Sequence, residues 1–195
     1  MSILNNINEF KEYVNEPILI EILNKLEETE FTEAQRTIGN FTATEYRFKT
    51  NLGNEYLLHF LNILLDSNTK IENDILSDLV KPNSFTYGRI PARVIMFTSA
   101  NWNGNANNYS DSTNHNEPLE LLSRIGYLTS IYKNRNPKIN IWIVGNENGD
   151  DRRLKTYELL FRNLFSSAFE MFKGKFMNYK NYTMFYINKT ILNEK

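Results

Sequence analysis

Cysteine is missing from all 195 residues. Disulfides, thiolate nucleophiles and cysteine-ligated zinc are therefore excluded. Histidine is scarce: only His59 and His115 are present. His59 lies in a strand-like run and reads as a packed or surface residue. His115 has Asp111 and Glu117 nearby, but the spacing matches no standard metal site. An excess of one charge is also lacking, with 22 Lys and Arg against 23 Asp and Glu. A net charge of −1 gives no global field to steer phosphate, which weakens nucleic acid as the main partner. No apolar run reaches the ~18 residues of a membrane helix. The opening MSILNNINEF has neither the basic region nor the apolar stretch of a signal peptide.

Catalytic fingerprints are missing as well. The loop Gly145–Gly149 follows a strand-like run and precedes a helix-like one, the general layout of an anion site. Yet Gly149 is followed by Asp150, where a Walker loop needs Lys, and there is no G-x-G-x-x-G. No G-x-S-x-G elbow occurs, so serine hydrolase chemistry lacks its geometry. The only E-x-K, Glu9 to Lys11, lies on an N-terminal helical pattern rather than on the strand a restriction-type nuclease requires. The reading is a non-enzyme with no cofactor and no metal.

Asparagine, by contrast, is plentiful: 29 residues against a single glutamine, Gln35. Asn, Ile, Lys and Tyr share AT-rich codons, so this reads as genome composition. Aromatic residues are abundant, 13 Phe, 11 Tyr and 2 Trp, which predicts a ring-rich core. The length fits one domain.

Along the chain, Ile3, Ile7, Phe10 and Val14 recur at helical steps, Pro17 interrupts, and Ile18, Ile22, Leu23 and Leu26 continue. Residues 1–30 read as a helical extension, followed by an α+β domain over 31–195. Residues 31–40 are polar, with no clear period. A β-hairpin follows: Tyr46 and Phe48 face one way and Glu45, Arg47 and Lys49 the other, and after the turn N-L-G-N, Tyr56, Leu58 and Phe60 lie on one face of the second strand, Leu57 and Leu61 on the opposite one. Ile71, Ile75 and Leu79 suggest a short helix, and residues 93–99 a buried strand. Residues 117–133 read as a helix with Pro118 in its first turn. Ile139, Ile141 and Ile143 mark a strand. Leu154, Tyr157, Phe161, Leu164, Ala168 and Phe172 then suggest one long helix stopped by Gly174. Residues 182–187 alternate as a last strand. The expected fold is a mixed, mostly antiparallel sheet with helices mainly on one face.

Two regions invite a partner. Residues 100–116 form a long polar loop, seven of seventeen being Asn, and carry Trp102 and Tyr109. At the other, Asp150 and Asp151 suit a helix N-terminus as caps, whereas Arg152 and Arg153 oppose the dipole there. Those arginines pair with local carboxylates or meet a partner. Tyr157 shares a helix face with Arg153. The stretch K-G-K-F-M-N-Y-K-N-Y interleaves Lys with aromatics, as single-strand binders do and as protected edge strands also do.

The unit I-W-I-V-G followed by R-L-K-T-Y, with the Tyr/Phe hairpin before it, resembles a loose family of small proteins of unknown function from tailed bacteriophages and Bacteroidetes-type bacteria. The similar region spans about residues 44–187. It departs in the doubled Arg and in Thr156, where Leu precedes the Tyr in the pattern. The resemblance implies a phage origin rather than an activity. The expected role is a structural or interaction protein of a virion or its assembly, located in host cytoplasm or virion and bound to other proteins, its own copies included. A nucleic-acid-associated protein using Arg152, Arg153 and the Lys-rich stretch is the alternative.

Overall fold

Two tight turns set the first third of the sheet. Gly39 takes φ +58° in the two-residue connection to Phe41, and Gly53 takes φ +84° in the turn after Lys49. Both values lie in the left-handed region that glycine enters without a Cβ penalty. The computed structural model describes residues 28–66, 71–72, 89–100, 118–145, 151–165, 167–176 and 183–192. In chain order these form β1 (Phe31–Ile38), β2 (Phe41–Lys49), β3 (Glu55–Leu65), β4 (Ile71–Glu72) and β5 (Ile90–Ser99). The helix α1 (Pro118–Arg135) leads to β6 (Ile141–Gly145), and α2 (Asp151–Phe165) leads to β7 (Phe169–Phe176), β8 (Thr183–Asn188) and α3 (Lys189–Leu192).

The strands lie in the order β1-β2-β3-β5-β6-β8-β7-β4. Every neighbouring pair is antiparallel except β5 and β6. That parallel pair needs a crossover, which α1 supplies. The expected class, a mixed sheet with helices, is the one observed.

Period-two alternation sorts the strand residues onto two faces. One face holds Tyr46, Phe60, Trp142 and Tyr186 together with Leu121, Ile125, Leu128, Tyr132, Leu160, Phe161 and Phe165 from α1 and α2. Rings link the layers. Phe60 stacks on Tyr132 at 3.9 Å between centroids, Tyr132 meets Trp142 edge-on at 6.1 Å, and Phe165 lies 5.3 Å from Trp142 and 5.0 Å from Tyr186. Burial raises the pKa of the Tyr186 phenol above its ordinary value, so it stays neutral. The other face is mainly aliphatic, with Leu61, Ile63, Val94, Ile141, Ile143 and Ile187 and with Ile191 from α3.

Four expectations change. Residues 31–38, which show no period, form β1 in continuous register with β2. Ile71 and Glu72, expected in a helix, pair with Phe176 and Lys175; residues 73–80 lie outside the described residues. The long helix stops at Phe165 rather than at Gly174. Residues 169–176 instead form β7, of which 169–174 pair with β8, Gly174 opposite Thr183. The stop is stabilised by Lys133, whose ammonium donates to the Leu164 carbonyl and sits 5.2 Å from the Phe165 ring. Burial lowers the Lys133 pKa. Finally, the last strand is followed by the short helix α3. Of the N-terminal helical extension, residues 1–27 lie outside the described residues, and 28–30 have no regular structure.

Candidate functional site

β1 ends the sheet, and no described residue hydrogen-bonds to its outer side. Thr32, Glu33, Gln35, Arg36 and Thr37 are exposed. The direction of the backbone groups follows from the turn. Ile38 and Phe41 flank the two-residue connection and face each other, which makes them a hydrogen-bonded pair. Bonded and non-bonded pairs then alternate, so Phe31, Glu33, Gln35 and Thr37 aim their N–H and C=O outward. The edge lacks proline, lysine and any bulge, the usual devices that blunt an edge. Its two charges turn back onto their own chain. Glu33 accepts from Arg135 at 3.0 Å, and Arg36 donates to Glu45 at 3.4 Å. Arg135 also reaches the Tyr46 hydroxyl at 3.3 Å and lies 5.9 Å from the Phe31 ring. The Tyr46 pKa is raised, first by burial and then by Glu33.

Behind the edge is a buried ionic cluster. Glu45 lies directly opposite His59, and His59 Nε2 is 3.0 Å from Glu45 Oε2. His59 is fully buried. Desolvation lowers its pKa, against the opposing pull of the Glu45 carboxylate. The other oxygen of Glu45 faces Arg36 and, at 3.9 Å, Arg47, which donates to Glu55 at 3.0 Å. Carboxylate and guanidinium groups thus offset one another. Sequence patterning put Glu45 on the face away from Tyr46 but did not find the pair. The signal was available: the N-L-G-N turn fixes the hairpin register, and that register sets residue 45 opposite 59.

A second clamp fixes the β2–β3 turn. The buried Arg124 donates to Glu120 at 2.8 Å, to the Asn51 side chain at 3.0 Å and to Thr29 at 3.3 Å. Glu120 accepts the Asn51 N–H at 2.6 Å. The clamped turn carries Leu52, 71% exposed.

The sequence-nominated residues are placed unevenly. Trp102, Tyr109, His115 and Asp150 lie outside the described residues. Asp151, Arg152 and Arg153 form the first turn of α2, close in sequence to Tyr157. The Tyr157 ring packs edge-on against Phe97 at 5.3 Å. Lys173, the first residue of the Lys-rich stretch, pairs with Glu158 at 2.7 Å, as does Arg162 on α2; residues 177–182 of that stretch lie outside the described residues. Among the described residues no three His, Asp or Glu converge as a metal site. No described helix is long and apolar enough to cross a membrane. No protein-family model matches the chain, and no curated protein or solved structure matches it.

Proposed function

We propose that this chain is a non-catalytic structural or interaction protein, phage-encoded and acting in a virion or its assembly, with the outer edge of β1 as its contact. The carrying observation is that edge: eight residues in unbroken register, backbone groups outward, with no proline, lysine or bulge in the strand and no described residue bonded to its outer side. An open edge binds by adding a strand, where main-chain hydrogen bonds supply affinity and alternate side chains supply specificity. The ionic cluster behind it fits the same role. Arg36 and Glu33 are exposed but each is paired within its own chain, to Glu45 and to Arg135. In this reading residues 31–195 are the working domain and the first 30 residues an extension.

The test replaces the native gene with a Gln35→Pro variant. Proline removes one outward N–H and is tolerated on an edge strand, while the ladder to β2 keeps its donors. Loss of particle assembly, with the variant still folded by circular dichroism, supports the reading. Normal particle yield with the edge blocked sinks it.

A further inference from the structure

We infer that the occupant of the β1 edge is a second copy of this chain, paired antiparallel about a two-fold axis normal to the sheet. This rests on the reading of β1 as the contact edge. Such an axis keeps each face of the sheet on its own side, so a residue can oppose only residues of the same face. The axis must then pass beside one residue that meets its own copy. Centring on Glu33 opposes two carboxylates, and centring on Arg36 opposes two guanidinium groups. Like charges directly opposite are destabilising, so both registers are disfavoured. Between them lie only Ala34 and Gln35, both neutral.

Ala34 is the better centre. It belongs to the pairs that do not bond on the outer side, where the Cα atoms approach to about 4.5 Å and a methyl group fits. Glu33 then faces Gln35 of the second copy, a carboxylate against an amide donor. Thr32 faces Arg36, and Phe31 faces Thr37. All four outward-aimed residues, Phe31, Glu33, Gln35 and Thr37, find backbone partners. Centred on Gln35, the pairing would leave Phe31 opposite Gly39 in the turn. The isologous contact closes on itself, so both edges are covered and no fibre grows.

The absence of cysteine makes the register directly readable. A single thiol from Ala34→Cys faces its own copy within disulfide reach, whereas one from Thr37→Cys, also on the edge, lies several residues from its copy. Mild oxidation is expected to link Ala34→Cys into a covalent dimer and to leave Thr37→Cys unlinked. Light scattering should find the wild-type chain dimeric, and Gln35→Pro and Ala34→Lys monomeric at the same concentration. The ammonium introduced by Ala34→Lys would oppose its own copy, while Glu45, opposite on β2, accommodates its charge within each chain. A monomeric wild type, or equal linking of the two thiols, overturns the second copy as occupant. If the wild type is monomeric yet Gln35→Pro still abolishes assembly, another protein sits on β1 and the functional reading survives. If the dimer forms and assembly ignores Gln35→Pro, the dimer stands and that reading fails.

Discussion

Trp142 and Ile143 are neighbours on β6 and point to opposite faces of one sheet, into two unlike interiors. Around Trp142, rings from β3, α1, α2 and β8 touch in sequence. Around Ile143, most side chains are aliphatic, with Phe185 directly opposite on β8 and Phe176 at its edge as the buried rings. The helix-covered face must bridge a sheet and two cylinders, and large rigid rings fill that uneven gap. The other face is filled mainly by Ile, Val, Leu and Ala side chains that pack on a pleated surface. It also holds the only ionic cluster with a fully buried histidine among the described residues. The interior built on rings should therefore be sensitive to volume, and the one containing Glu45 and His59 to protonation.

Trp142→Ala tests the first half and should have the largest effect, about 3–5 kcal/mol lost in denaturant unfolding. Its indole N–H finds no acceptor among the described residues, so the expected loss is packing rather than a bond. Trp142→Phe should therefore cost much less. Glu45→Ala on the other face comes next, at about 1–3 kcal/mol, because it strips partners from the buried His59 and from Arg36. Ile143→Val should cost about 0.5–1.5 kcal/mol. Should Ile143→Val prove as costly as Trp142→Ala, the contrast between the faces is broken.

The smallest effect is a slope. The His59 pKa in the folded chain is lowered from 6.5, chiefly by burial. The unfolded chain therefore binds the proton more readily, and stability falls as pH drops below about 6.5. His59→Gln should flatten the profile there. An unchanged slope in the variant would show that other groups carry the acid sensitivity.

Much of this fold was legible in the residues, and the exceptions have causes. The β2–β3 hairpin, β5, α1, β6 and β8 each bury a regular set of positions, so their periods survive in the sequence. β1 is an edge strand with five exposed residues, so nothing forces it to alternate. Residues 161–172 misled because Phe161, Ala168 and Phe172 keep a helical spacing across the break after Phe165. Pairing with β8 overrode that pattern. The candidate edge was illegible because β1, with most of its side chains exposed and no described residue on its outer side, leaves little trace in hydrophobicity. The Glu45–His59 pair required the hairpin register, which composition alone does not supply.

The strand order also sets a timetable for folding. β1, β2 and β3 are consecutive in sequence and adjacent in space, so their pairing closes short loops. β4 follows them in the chain yet sits on the far side of the sheet, where Ile71 meets Phe176. That contact must wait until most of the chain has been laid down between them. The β1–β3 meander is thus expected to form first and β4 to dock last. Pulse-labelled amide exchange would reveal this as early protection near Tyr46 and Phe60 and late protection at Phe176; the reverse order would refute it. During synthesis, the open edge of β1 would then exist before the opposite half of the sheet does.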